Sequence, residues 1–550
     1  MKIDCKYNTK SFPLVFTMLI LLLYLSHSQV GEYTQKSVPK KTLSTSVWCQ
    51  TSKFGNKKCS FQNLCFNKYL KFLFVLTESS ILSGVKLRKD LETIKTSSVT
   101  NNSAFFLKMS IVFPSQFPSN DIEWFHDDIF ALTRFKPDNI MHVIHDDLLP
   151  LHSSYKELCL GNVYECSRRF QLAFLDEHGN GPFIEWYKAY SSKSLIHFSS
   201  FEQSKTICFS KLVFAIDEDT VFYQYGYKIP HGPVHTSLSP ALILDFKNYM
   251  LGHFNIKHEN VPKTQVYTLL SRKFNRKLLN EAYIIEMINQ LSLPSKPCVL
   301  TFDVVQNSTN EILTLISSSS LFIGMHGAGM MLSIFLPKDS SVVELFPFAI
   351  HKEYVSPLYA LTKLKGLHFR YNSWTNLNKN NSVLHPEYPS KLGGVNHLPR
   401  TYQLDIINSN SVPPVFCCDN PLYLFWMYQD TIVDSSIIPV LNSSLITKYT
   451  PAFINKEKWF FPGSVRNFKI GYFETVLFAS WSPPFNTYGI NVSYSLLLST
   501  PFKNVTLITN EVNVTLNFNK RLDACHGWVL CIFDGIEGVD TFSKCNDTTY

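Results

Sequence analysis

Leu321-Phe-Ile-Gly-Met-His-Gly-Ala-Gly-Met-Met-Leu-Ser-Ile-Phe-Leu-Pro337 is the stretch on which the fold turns. It reads as a short buried strand, a glycine-rich turn carrying His326, and an amphipathic helix stopped by Pro337. Gly324, Gly327 and Gly329 give the turn backbone freedom and let a ligand approach the main chain. A helix opening directly after them aims its unpaired N–H groups and positive dipole end into the turn. Such a strand–turn–helix suits a pyrophosphate or another anion. On the glycines alone, a tight turn with no ligand is an equal alternative.

Strand and helix patterns alternate on both sides of this turn. Gln265–Leu270 and Cys298–Phe302 suit buried strands, Leu278–Leu291 and Ile312–Ile316 have helical spacing, and Ser341–Leu345 is a further strand. This is the pattern of a doubly wound parallel sheet, whose ligands sit at the carboxyl ends of the strands. Gly324 to Gly329 and Glu344 fall at such ends. Residues 258–440 are therefore expected to form a nucleotide-binding lobe with a closing helix over Asn420–Asp434, and residues 59–257 a preceding lobe. In the preceding lobe Phe72–Leu76, Phe105–Val112 and Lys211–Ala215 suit strands. Residues 370–415, rich in Asn, Pro and Ser, read as irregular. From 462 to 550 short alternating strands with Trp481 in a core position indicate a β-sandwich. Trp481-Ser-Pro-Pro484 resembles the start of a fibronectin type III module.

The N-terminus reads as a membrane entry signal. Lys2, Lys6 and Lys10 precede an apolar run over 12–25, giving a cytosolic tail (1–11), a signal anchor or cleaved signal, and a polar stem (26–58). Eight glycosylation sequons, at Asn101, Asn307, Asn380, Asn442, Asn491, Asn504, Asn513 and Asn546, agree with a lumenal chain. So do the cysteines, 13 in all, of which only Cys5 precedes the apolar run. The net charge of +8 is scattered rather than clustered, which argues against nucleic acid. No Cys or His pair is matched by a second pair at zinc spacing.

Three constellations carry chemistry. In Lys136-Pro-Asp-Asn-Ile-Met-His-Val-Ile-His-Asp-Asp-Leu-Leu-Pro150, His142 and Asp146 share a helix face, and a carboxylate held against an imidazole can take a proton from a hydroxyl nucleophile. His145 and Asp147 are expected on another side, solvated or capping the turn. Arg272 and Arg276, just after a strand, can chelate phosphate oxygens with their planar forks. Glu344, at a strand end, can accept from ribose hydroxyls. Asp217-Glu-Asp219 matches the Asp-x-Asp of metal-dependent sugar-nucleotide enzymes but reads better as a solvated turn, and His231–His235 as a loop.

Taken together, Asn139-x-x-His142-x-x-His-Asp146, Arg272-x-x-x-Arg276-x-x-x-Asn280-Glu281, His326-Gly-Ala-Gly329 and Val343-Glu344 resemble glycosyltransferase family 61. Phe335-Leu-Pro, Val342–Pro347, Cys417-Cys418 and Tyr428–Thr431 extend the likeness to nearly everything after about residue 105. The resemblance implies a two-lobed GT-B-type α/β fold, with the sandwich as a fibronectin type III-like domain. It implies inverting transfer of N-acetylglucosamine, in β-1,4 linkage, from UDP-GlcNAc to O-mannose on a protein such as α-dystroglycan, in the endoplasmic reticulum. Asp146 would be the base and His142 its orienting partner. Arg272, Arg276, Asn280 and the Gly324–Gly329 turn, through His326, Gly327, Ala328 and Gly329, would hold the donor, with Glu344 near the ribose. Fixed donors can replace a cation, so no cofactor is required. A family 61 enzyme with another acceptor, and a non-catalytic glycan-binding relative, are the competing readings. The sandwich is left to position acceptor peptide, support a homodimer, or only stabilise the chain.

Overall fold

The computed structural model describes residues 43–446 and 465–547, apart from short internal stretches of which 86–90, 100–105, 225–231, 257–265, 292–297 and 363–368 are the longest. The apolar run 12–25, most of the expected stem and Cys417-Cys418 lie outside the described residues. No helix among those described is long and apolar enough to cross a membrane.

A nine-stranded mixed sheet builds the first lobe. Its strands are β1 (Ser46–Thr51), β2 (Lys57–Asn67), β3 (Lys71–Val75), β4 (Leu82–Ser83), β5 (Met109–Val112), β6 (Ile122–Leu132), β7 (Phe170–Phe174), β8 (Ile196–His197) and β9 (Thr206–Phe214). The main order is β4-β1-β2-β9-β6-β7-β8, with β3 beside β2 and β5 beside β3. β1 corrects the sequence expectation, because Ser46–Thr51 was expected to be stem. It pairs antiparallel to β2, and Cys49–Cys59 ties the two. The strand expected over Phe105–Val112 runs over Met109–Val112, with Phe106 in an isolated bridge to Lys95. Cys65–Cys208 joins β2 to β9 and Cys159–Cys166 closes a turn, pairings at home in an oxidising compartment.

The expected solvated turn at Asp217-Glu-Asp219 is instead a buried anchor. Asp217 lies 3.4 Å from Lys58 of β2 and Glu218 pairs with Lys95, so two cations draw the acids inward.

Two short strands, β10 (Tyr223–Gln224) and β11 (Gly232–Pro233), lead to the second lobe. Its sheet contains β12 (Val266–Leu270), β13 (Cys298–Phe302), β14 (Ser319–Met325), β15 (Ser340–Phe346) and β16 (Phe369–Thr375). The order is β13-β12-β14-β15-β16 and every pairing is parallel. β12 and β15 are buried along their whole length, as expected for a parallel sheet covered on both faces. Helices 281–290 and 309–317 fill the expected crossovers, the latter closed by a Ser308/Glu311 capping box.

Three differences stand out. Ala328–Phe335 is a 3-10 helix, not an amphipathic α-helix, and all of it from Gly329 on is buried, because it lies between the lobes. The 370–415 region contributes β16 and a helix at Arg400–Asn408. The helix expected over 420–434 stops at Met427, and the chain continues through an extended pair at Asp430–Thr431. The element that packs back on β15 and β16 is helix Ile438–Ile446, where Ser341 and Asn372 bond to Ser444 at 2.7 and 2.8 Å.

One core joins the lobes. Phe130, Val143, Ile144 and Leu148 of the first belong to the same buried cluster as Leu270, Phe322, Met330 and Phe335 of the second. The strands between residues 466 and 547 join in one eight-stranded sheet with its own core around Leu477, Trp481, Tyr494, Leu496 and Val529. Its strand Val476–Ser482 alternates buried and exposed residues, the period of a half-buried strand.

Candidate active site

The helix that carries the expected dyad follows the carboxyl end of β6. Asn139 caps it by accepting from the Met141 N–H at 3.0 Å. It is α-helical over Ile140–His142, widens to a π-helix over Val143–Leu148, and is α-helical again to Leu158. Pro150 accounts for the widening. Lacking an N–H, it leaves the carbonyl of Asp146, four residues back, without its α-helical partner, and the Ser98 hydroxyl donates there instead. Such π turns recur at functional sites.

In the widened turn side chains no longer follow α-helical angles, and both imidazoles flank one carboxylate. His142 Nδ1 lies 2.7 Å from Asp146 Oδ2, and His145 Nδ1 lies 2.5 Å from Asp146 Oδ1. His145 and Asp147 thus depart from expectation: neither is solvated, and Asp147 accepts from the Tyr187 hydroxyl. Burial works to raise the Asp146 pKa, but the interactions with His145 and His142 prevail and hold it below the usual carboxylate value. Burial pushes the Asp147 carboxyl well above its ordinary range despite the Tyr187 bond. A carboxylate kept ionised between two imidazoles can orient one of them and stabilise its protonated form.

In the second lobe the two arginines converge on Gly327. A Cβ there would lie 3.0 Å from Arg272 Nη1 and 3.1 Å from Arg276 Nη1. Gly327 has φ +152° and ψ −178°, a backbone region that glycine alone visits readily. Arg272 is steadied by Asn275, donating from Nε to its carbonyl at 3.0 Å and from Nη2 to its side-chain oxygen at 2.9 Å. Arg276 stacks over Tyr428, 5.0 Å to the ring centroid, and its backbone N–H donates to the Tyr428 carbonyl. Two held guanidiniums beside a glycine turn make a clamp whose geometry can accept an anion.

His326 is buried beside this clamp, stacked on Phe346 at 5.0 Å, with Nδ1 2.8 Å from Glu344 Oε1. Glu344 is 1% exposed, and its other oxygen accepts from Ser356 and Tyr371 at 2.7 Å each. Its place is behind His326 rather than at an open strand end. Asn280 is likewise occupied at both ends of its amide by the Val433 backbone, at 2.7 and 2.9 Å. Gly324 and Gly329 are close-packed: a Cβ at either would come within 3 Å of the Leu270 side chain. Ala328 opens the 3-10 helix. The structure thus gathers Arg272, Arg276, His326 and Gly327 into one clamp and sets Asn280, Gly324, Gly329 and Glu344 around it as support.

The two halves meet. Helix Ile140–His142 packs directly against the 3-10 helix that follows Gly327. Beyond the carboxyl ends of β15 and β16 lies a cavity of about 610 Å³, bordered by Phe348, Ile350, Lys352, Asn376 and Lys379. Sequence reasoning missed Ser98, Tyr187, Ser356 and Tyr371. They are distant in sequence from the groups they hold, and no local pattern marks them.

The model of the glycosyltransferase 61 family matches residues 124–343, which contain both the dyad and the arginine clamp. Protein O-linked-mannose beta-1,4-N-acetylglucosaminyltransferase 2 of Xenopus tropicalis is 30% identical over 519 residues, 89% of this chain and 86% of the relative. The proteins of that name from Homo sapiens and Mus musculus are each 31% identical, over 525 and 523 residues, covering 90% and 89% of this chain and 87% and 86% of their own. Among solved structures, a human fibronectin type III domain is similar over 16% of this chain and 75% of its own length at 16% identity, with a TM-score of 0.13, too low to bear on the fold.

Proposed function

This chain belongs to glycosyltransferase family 61 and is a glycosyltransferase, and from that premise we propose that it moves N-acetylglucosamine from UDP-GlcNAc, in β-1,4 linkage, to O-mannose on a secretory-pathway protein such as α-dystroglycan. The observation that carries the reading is the buried His142–Asp146 pair, whose helix packs against the 3-10 helix that follows the turn on which Arg272 and Arg276 converge. The relatives' names supply the sugar and the linkage.

In this reading the acceptor hydroxyl attacks the anomeric carbon on the face opposite UDP. The new glycosidic bond forms as the bond to the β-phosphate breaks, and configuration inverts. The hydroxyl proton passes to the dyad, and the electron pair leaves with UDP, where Arg272 and Arg276 meet the charge. The sequence assigned Asp146 as base with His142 orienting it. The geometry favours the opposite order. Both Asp146 oxygens already contact imidazoles, so His142, with Nδ1 on Asp146 and its lone pair on Nε2, takes the proton, and the carboxylate stabilises the imidazolium. Glu344 then orients His326 against the donor rather than meeting the ribose. No step needs a resident cation.

We read the two lobes as a GT-B arrangement and the sandwich as a fibronectin type III-like domain, from the parallel sheet and from the alternating strands around Trp481. An N-terminal signal anchor would place the lobes in the lumen of the endoplasmic reticulum, and the four disulfides among the described residues are consistent with that side. Incubating the protein with UDP-GlcNAc and an O-mannosyl peptide, beside other nucleotide sugars and an unmodified peptide, tests the reading. Transfer of a single N-acetylglucosamine, removed by His142→Ala, is expected. No transfer by folded protein overturns it.

A further inference from the structure

Both ring nitrogens of His145 are committed. The backbone N–H groups of Phe222 and Tyr223 each donate to Nε2 at 3.2 Å, so Nε2 carries the lone pair and the proton sits on Nδ1. Nδ1 lies 2.5 Å from Asp146 Oδ1 and donates to it. The ring is 0% exposed and is set edge-on to Phe222, 4.4 Å between centroids at 85°. Two consecutive backbone N–H groups aimed at one imidazole nitrogen lie 77 and 78 residues away in the chain. That convergence fixes a tautomer, and a buried histidine kept only for packing has no need of it.

We propose that His145 is a positioning residue for the transfer, a third member of the His142–Asp146 pair, locked by the Phe222–Tyr223 backbone so that its Nδ1–H holds Asp146 ionised and turned toward His142. This rests on the transferase reading above. Tyr223, whose N–H supplies half of the lock, is itself buried.

The groups facing Asp146 make the electrostatic consequence definite. His142 and His145 face it from its own helix; Tyr187 faces Asp147 next door, with Arg134 and Asp176 acting on Asp147 from beyond. Arg134 is neutralised by its close pair with Asp176, Nη2 to Oδ1 at 2.6 Å. Removing the His145 donor leaves burial less opposed, so Asp146 becomes more basic. The pair then keeps its proton to higher pH, and the base form appears later on the acid side.

Two variants of the full chain separate the donor from the acceptor role of the ring. In His145→Asn the amide nitrogen falls near the Nδ1 position and can still donate to Asp146. In His145→Gln the terminal oxygen falls near Nε2, accepting from Phe222 and Tyr223 but donating nothing to Asp146. With UDP-GlcNAc and an O-mannosyl peptide, His145→Asn is expected to keep the wild-type acid limb of kcat/KM. His145→Gln is expected to raise that limb by about one pH unit and lower kcat about tenfold or more. A purely structural histidine would give equal losses in both and no movement of the limb, which overturns the proposal. In ¹⁵N-histidine-labelled protein, His145 is expected to show a protonated Nδ1 and an unprotonated Nε2, and the reverse tautomer overturns the proposal whatever the turnover. A wild type that transfers no sugar would defeat the transferase reading, and the tautomer then decides the positioning role on its own.

Discussion

Arg276 Nη1 donates to the carbonyl oxygen of His326 at 2.9 Å, which ties the loop after β12 to the turn after β14. The contact spans neighbouring parallel strands at their carboxyl ends. One guanidinium can therefore brace the turn and face a phosphate with its remaining donors. A lysine presents a single point charge and cannot do both. Arg276→Lys is expected to fold, because the backbone bond to Tyr428 remains, and to lower kcat/KM by roughly 10²–10³, the range for losing one fixed donor at a developing charge. Steady-state UDP release measures it. A loss below about threefold would remove Arg276 from the clamp.

Gly327 and Gly324 sit three residues apart and are needed for different reasons. At Gly327 a methyl group would press on both guanidiniums, and the backbone there costs any other residue about 1–3 kcal/mol. At Gly324 it would meet Met330 Sδ at 2.7 Å and Leu270 Cβ at 2.9 Å, in the core. Gly327→Ala should therefore raise the donor KM at least tenfold, while Gly324→Ala should lower the melting temperature with donor KM unchanged. Calorimetric UDP titration beside thermal melts tells the two apart, and the opposite pattern would mean that the turn does not face the donor.

Much of this was legible because buried parallel strands are continuous apolar runs. Val266–Leu270 and Ser340–Phe346 announce themselves, and the turn between β14 and the 3-10 helix follows from its glycines. β16 escapes such a reading. Phe-Arg-Tyr-Asn-Ser-Trp-Thr is an edge strand, mostly half-buried, and its polar residues mimic a loop. β1 hides for a similar reason, its polar residues resembling a stem until the pairing with β2 is seen. The dyad was legible as a spacing, but its π turn depends on a hydroxyl at Ser98, 48 residues away from the carbonyl it satisfies. The partners that hold Glu344 and Asn280, namely Ser356, Tyr371 and Val433, carry no local signal because they become neighbours only in the fold.

Glu344 receives bonds from His326, Ser356 and Tyr371, and an amide cannot accept from all three. Glu344→Gln turns one acceptor into a donor, leaving a buried donor without an acceptor at a cost of about 1–3 kcal/mol. The melting temperature should fall by about 1 °C for each kcal/mol lost, as expected for a cooperative unit of this size. If Glu344 acts through His326, the donor KM should rise as well. An unchanged KM with a lowered melting temperature would confine Glu344 to stability.

His152 offers a test of acid sensitivity that is separate from turnover. Its side chain is fully buried, between Tyr190, 3.1 Å from Nδ1, and Asp245, 2.9 Å from Nε2. Burial pulls its pKa down from 6.5 to about 4, outweighing Asp245. Between these values the unfolded chain binds a proton that the folded protein does not, so stability rises with pH across that window. His152 therefore contributes its full stability above about pH 6.5, and this is lost as the pH falls toward 4. The span corresponds to about 3 kcal/mol. His152→Gln, which carries no titrating group, should flatten the acid slope of the urea midpoint over that window while leaving the slope above pH 7 alone. Wild type and variant with the same slope between pH 4 and 6.5 would show that His152 is protonated in the folded protein.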